Sequence, residues 1–363
     1  MKRLNLSRYF PPKDLFASLI EIGIDDALEQ VGVSVSGKPI YLYNSGEGDI
    51  KLLAWSQMHG NETTTTKALL ELVDYLNSTD EGNKLKAKLN LRVIFQLSPD
   101  GADAYTRLNA NQIDLNRDAL SQSQPETKVI MSEFESFQPN FCFNLHGQRT
   151  IFAAGDSLKP ATLSFLAPSA DEDRSLTAPR VIAMKLIAEI ANSLEVNDQW
   201  GIGRYDDRFN LNCLGDYFTA KGVPTLLFEA GHFPEDYLRL KTRSLLFKSL
   251  LTALRSLASS SYLDYTVAQY LSIPNNINTL RDIEIRNVTT VNNSIVTNST
   301  LFVQYRELLK DGEILFLPEY AGNNKEYKGL KVIDCKSQNF DQPIDIEDSA
   351  ENIINHLKKL INI

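Results

Sequence analysis

Three segments of this chain are largely apolar, and each carries, at or just past its end, a residue able to hold a metal or move a proton. They are "IKLLAWSQ" (50–57), "FCFNL" (141–145) and "PTLLFEA" (224–230). A strand covered on both faces reads this way, whereas a strand with one wet face alternates apolar and polar positions. Between these runs the spacing becomes helical. From Thr63 to Leu76 the apolar positions Ala68, Leu69, Leu72, Val73 and Leu76 fall on one stripe. Further helices are predicted at 13–31, 126–137, 178–195 and 235–258, and further strands at 39–45 and 91–98. Long loops are predicted from Pro99 to about Gln124, after residue 145 and before residue 224. Strands alternating with helices predict an α/β fold: a mixed, mostly parallel twisted sheet with helices on both faces. Ligands of such sheets collect beyond the carboxyl ends of the strands. His59, His146 and Glu229 all sit at or just past such ends.

After "ASSSYLD" (258–264) the texture changes. "DIEIRNVTTVNNSIVTNSTLFVQY" is rich in Val, Ile, Thr and Asn in short alternating runs, which reads as antiparallel strands and turns. "AENIINHLKKLINI" closes the chain as an amphipathic helix. The predicted organisation is a catalytic domain over 1–263 and a small β-rich domain over 264–363 that ends in a helix. A net charge of −9 argues against nucleic acid or an anionic membrane as the main partner. No apolar run approaches the roughly 20 residues of a membrane helix. The start, "MKRLNLSRYFPPKDLF", is basic but lacks the apolar stretch of a signal peptide. Cys142, Cys213 and Cys335 are odd in number and widely spaced, so they form no disulfide framework. A cytoplasmic location is the expectation.

The chain has four histidines. His59 and Glu62 come from one turn after a strand, so both can face one point. A catalytic zinc takes three His, Glu or Asp ligands and keeps one position for water. His356 lies in the terminal helix, where Ile354 and Leu357 suggest packing or solvent. His232 follows Glu229 by three residues and reads as a loop hydrogen bond, with substrate contact as the alternative. His146 ends a strand just before Gly147, which lets the chain turn away. His59, Glu62 and His146 are therefore the predicted ligands of one Zn2+ per chain.

The loop "SPDGADAYTRLNANQIDLNRDALSQSQPE" (98–126) is too polar for a core and too long for a simple connector. Together with "HGNET", "NLHG" and "LLFEAG" it resembles the zinc carboxypeptidases of the carboxypeptidase A type, over about residues 40–255. The resemblance implies a role for each matching position. His59, Glu62 and His146 would bind zinc. Asp114 would orient His59 through a hydrogen bond. Asn116 and Arg117 would hold the terminal carboxylate of the substrate, a task suited to the planar fork of arginine. Arg107 would polarise the scissile carbonyl. Glu229 would act as general base. The family's substrate-closing tyrosine has no clear counterpart; Tyr205 is the nearest position, and Tyr217 also fits loosely. "CLGDY" (213–217) would lie near the side-chain pocket, with Asp216 read as structural. Gln112 stands where the family usually has Gly, and Ser98 where it usually has Asn.

Two other readings share parts of this pattern. The aspartoacylases and succinylglutamate desuccinylases also carry "HGNE", "DLNR", a later His and Glu, and a β-rich C-terminal part; they cleave N-acyl amino acids. A cell-wall peptide amidase is a further variant of the same family. The "RLNANQIDLNR" spacing and "SPDG" favour a peptide substrate. The C-terminal part favours the amidohydrolases, or else acts as a lid limiting substrates to small peptides. A silent carboxylate-binding protein is the third reading; the intact His59, Glu62, His146 and Glu229 argue against it. The expected partner is a peptide or acyl-amino-acid with a free carboxylate; the sequence leaves the oligomeric state open.

Overall fold

The structure, a computed structural model, describes residues 7–336 and 343–361, with side chains to residue 358. The chain opens with α1 (Pro12–Ile22) and then adds β1 (Leu28–Val33), β2 (Pro39–Ser45) and β3 (Ile50–Ser56). The predicted helix over 13–31 therefore ends early. Gly23 stops it at φ +74°, a left-handed C-cap, and Leu28–Val33 instead pairs antiparallel with β2. α2 (Thr63–Ser78), α3 (Asp80–Lys86) and β4 (Leu89–Ile94) follow. The predicted loop from Pro99 carries α4 (Pro99–Ala104) and a single turn at Leu115–Arg117 before α5 (Pro125–Phe137) and β5 (Phe141–Gly147).

The next two predicted loops also hold regular structure. They contain β6 (Phe152–Ala154), β7 (Ala161–Leu166), β8 (Gly201–Arg204) and α7 (Leu214–Ala220), with α6 (Ala178–Asn192) between β7 and β8. β9 (Thr225–Ala230) and α8 (Leu240–Ser259) come next. α8 begins at Leu240 rather than near 235. Glu235 and Arg239 have positive φ, and the Asp236 carboxylate accepts from the Leu240 and Lys241 N–H groups, capping the first turn.

The large sheet runs β1-β2-β4-β3-β5-β9-β7-β8. Its centre, β4-β3-β5-β9, is parallel, and antiparallel pairings flank it. β3 explains its own composition. Leu52 and Ala54 enter a core with α1, α2, α6 and α8, while Leu53 and Trp55 enter a second core with α5 and α7. Both faces are covered from Leu52 to Trp55, and this stretch carries no polar residue.

α9 (Val267–Leu271) packs on α6, with Tyr270 in the main core, and β10 (Asn276–Asn278) pairs with β6. The chain thus stays with the first layer system to residue 278. A separate sheet then forms from β11 (Leu280–Asn292), β12 (Ile295–Lys310), β13 (Glu313–Tyr320) and β14 (Lys328–Asp334), with the short β15 (Ile344–Asp345) beside β11. α10 (Ala350–Ile361) lays Ile353, Ile354 and Leu357 on this sheet, leaving His356 exposed. Among the described residues no helix is long and apolar enough to cross a membrane.

Candidate metal centre

The parallel register brings the site together. On β5 and β9, His146 and Glu229 are direct neighbours. Ser56, which ends β3, is level with Leu145, so the turn carrying His59 and Glu62 starts beside them. Gln57 makes that turn at φ 43°. Its buried amide donates to the Gly60 carbonyl at 2.7 Å and accepts from Thr66 and Gln96. Gly60 sits on the backbone of Gly101; an added Cβ would lie 1.8 Å from the Gly101 carbonyl carbon. This close approach locks "HGNE" against "SPDG", and only glycine permits it.

Glu62 offers one oxygen to each imidazole. Its Oε1 is 2.9 Å from His59 Nδ1, and its Oε2 is 2.9 Å from His146 Nδ1. On the far side of His59, Nε2 lies 2.9 Å from Asp114 Oδ1. His59 thus stands between two carboxylates, which only accept hydrogen bonds. It satisfies both either as an imidazolium, or as a neutral ring that donates from Nε2 and turns a bare Nδ1 to a cation. Burial opposes charge on His59, yet the Glu62 carboxylate and the bond to Asp114 outweigh it and hold the imidazole up to about 9. Burial likewise works against a charged Glu62, but the two imidazoles hold its carboxyl well below the usual range. The cluster is built around positive charge.

One ligand atom from each of His59, Glu62 and His146 lies within 4.8 Å of the others. Tetrahedral zinc ligands, at about 2.1 Å from the ion, stand about 3.4 Å apart, the same scale. Two imidazoles and a carboxylate are also a catalytic zinc donor set. His146 Nε2 is buried and has no partner among the described residues. The residues fit a zinc ion.

Asp114 also receives the Arg107 Nε–H and Nη2–H at 3.1 and 3.0 Å and the Asn116 N–H at 2.9 Å. Arg107 Nη1 comes within 3.7 Å of Glu62 Oε1, which puts this guanidinium at the edge of the ligand cluster. The loop bearing these groups is braced by buried Asn109, whose amide bonds Asn111, Ile113, Gln124 and Glu126. Asn116 Oδ1 accepts from the Leu214 N–H at 3.1 Å, and Arg117 donates to Cys213 Sγ at 3.1 Å, so "DLNR" and "CLGDY" are held side by side.

One cavity of about 400 Å3 gathers His59, Glu62, Arg107, Asn116, Arg117, His146, Tyr205 and Glu229. Asp114 stands behind it. Glu229 Oε2 is buried without a partner among the described residues, and burial together with the Glu62 charge pushes its carboxyl well above the usual range. Of the two tyrosine positions, Tyr205 lines this cavity, its ring edge-on to Phe152 at 5.6 Å. Tyr217 packs on Phe218 in the second core instead. His232 corrects the expected loop hydrogen bond. Its ring nitrogens are buried without partners among the described residues, it packs on the Tyr237 ring at 4.8 Å, and it lines a different cavity.

Sequence reasoning passed over Asp206, Arg208, Phe209 and Asn210, which also line the site cavity. The available signal was four charged residues within "RYDDR" between a strand and a helix. Asp207 fixes this loop through the buried Arg180 at 2.5 Å. Asp216 also reaches the cavity; burial pushes its carboxyl up to about 7, and it accepts from the Ser169 N–H.

Residues 26–178 match the family model described as zinc carboxypeptidase. Carboxypeptidase 2 of Trichophyton rubrum is 31% identical over 113 residues, 30% of this chain and 20% of that protein. Human Carboxypeptidase D is 28% identical over 149 residues, 33% of this chain and 11% of that protein. The chain therefore spans a fifth or less of the length of these curated relatives. Among solved structures, a metallo-carboxypeptidase from Burkholderia cenocepacia superposes with TM-score 0.56 at 16% identity, covering 70% of this chain and 71% of that one. Carboxypeptidase A from Helicoverpa armigera gives 0.54 at 14% identity, covering 71% and 76%. At such identities the likeness is one of fold.

Proposed function

We propose that this protein is a metallocarboxypeptidase that hydrolyses the C-terminal peptide bond of peptides, with one zinc ion per chain held by His59, Glu62 and His146. Held by His59, Glu62 and His146, such an ion would lower the pKa of a water to about 7 and would polarise a carbonyl. The remaining work falls to the chain. Asp114 fixes the tautomer of His59 by accepting from Nε2. Asn116 and Arg117 receive the terminal carboxylate; Arg117 is exposed in the cavity, and its bond to Cys213 holds the guanidinium in place. Arg107 faces the developing oxyanion, since its guanidinium already lies beside Glu62. Glu229 takes a proton from water on its unpartnered Oε2 and passes it to the leaving amine. Tyr205 covers the released residue.

The observation that carries this reading is the meeting of the His-Glu-His cluster, the free carboxylate of Glu229 and the Asn116–Arg117 pair in one cavity. The test is digestion of a peptide library with and without a chelator. Release of single C-terminal residues that stops with chelator and returns with zinc is expected. Release of acetate or succinate from acyl-amino acids, with peptides untouched, would transfer the site to the amidohydrolase reading.

A further inference from the structure

A second cavity, about 460 Å3, meets the first at the metal centre. The two share Glu62, Arg107 and Gly147. The first contains Asn116 and Arg117; the second does not. On the carboxypeptidase reading, on which this inference rests, the released residue occupies the first cavity. The part of the substrate before the scissile bond then has to run into the second.

The second cavity does not open along the large sheet. It ends against β12 and β13, which contribute Gln304, Tyr305, Glu307 and Phe316. This boundary is fastened to the large sheet's layers by three sets of contacts, two of which share Tyr237. Glu307 accepts from Arg8, itself nine-tenths buried, at 3.0 and 3.3 Å, and from the Tyr105 hydroxyl. Asp282 on β11 accepts from the Tyr237 hydroxyl at 2.9 Å, the Thr150 hydroxyl at 3.3 Å and the Tyr305 N–H at 2.7 Å. The Tyr237 ring meets Tyr305 at 5.5 Å and Phe316 at 5.1 Å, both edge-to-face. Charge-assisted bonds at a buried arginine and an aromatic cluster hold a surface in one place. The second sheet is a fixed wall and not a flap.

We infer that the second sheet sets the length of the substrate: the enzyme acts on peptides of about two to four residues and discriminates against longer chains. The volume supports this. About 460 Å3 lies in the range of small-ligand pockets, about 300–1,000 Å3, and accommodates about two or three residues. A longer chain has to leave past the exposed Arg306–Glu319 pair at the cavity edge, giving up contacts inside it.

The experiment measures kcat/KM on the zinc-loaded full chain with N-acetylated peptides of two to eight residues sharing one C-terminal dipeptide. The expected profile peaks at two to four residues and falls at least about tenfold by eight. A flat profile, or one that rises with length, overturns the wall. No release at any length overturns the carboxypeptidase reading beneath it, so the two failures are distinct. A Tyr305→Ala/Phe316→Ala variant should shrink the length penalty severalfold. An unchanged penalty in a folded variant also contradicts the inference, and if the variant does not fold, the wild-type profile decides alone.

Discussion

The two cavities that meet at the metal centre are built by different means. The one holding Asn116, Arg117 and Tyr205 is framed by the irregular segment 205–210 and the first turn of α7, pinned by single side chains such as Asn116 and Asp207. The other is backed by paired strands of a separate sheet, docked by a buried ion pair and three aromatic rings. A loop can exchange its side chains without disturbing its neighbours, whereas a docked sheet fixes a boundary. The comparison separates two tasks: the loop-framed cavity suits selection of the released residue, and the sheet-backed one suits selection by length.

The largest expected effect breaks chemistry and leaves both cavities intact. Glu229→Gln should lose about 10²–10⁴-fold in kcat, the scale for removing a general base, at every peptide length and with zinc content unchanged. Single-turnover kinetics beside metal analysis checks it. Normal turnover would remove Glu229 from the proposed base role and leave the comparison of cavities without a reacting centre.

A smaller effect sharpens the loop-framed side. Burial holds the Asp216 carboxyl at about 7 in the folded chain, against about 3.9 when unfolded. A group raised on folding stabilises below its unfolded pKa, and this stabilisation is lost as pH rises through the folded one. Wild type should therefore lose stability between about pH 4 and pH 7 from this group and stay level above. Asp216→Asn can still accept from the Ser169 N–H. It should match wild type near pH 4 and be the more stable protein at pH 8, as urea denaturation at the two pH values would show. Equal stability at both would mean that Asp216 is not held up by its surroundings.

The same contrast explains what could be read in the sequence. β3, β5 and β9 were legible because burial on both faces leaves a continuous apolar run, and each run ends on the residues that converge. β7 is just as buried, in "ATLSFL", but it lies between Pro160 and Pro168, and it reads as loop. β1 was hidden because Ile20, Ile24, Leu28 and Val31 keep a spacing of three or four residues past Gly23. Second-sheet strands showed in their Val, Ile and Thr content. Their place against the site did not, because nothing local in Tyr305, Glu307 or Phe316 marks them as facing Tyr237 or Arg8. His232 differs for a similar reason: its position after Glu229 suggests a loop hydrogen bond, with substrate contact as the alternative, while the chain turns its ring to the Tyr237 side.

Equilibrium dialysis against zinc, with metal counted per chain, tests the central claim most directly. The account predicts one tightly held ion in the wild type and at least about a tenfold loss of affinity in His59→Ala and in His146→Ala. A wild type that binds no zinc at stoichiometric level, or single variants that hold it as tightly as the wild type, would contradict it.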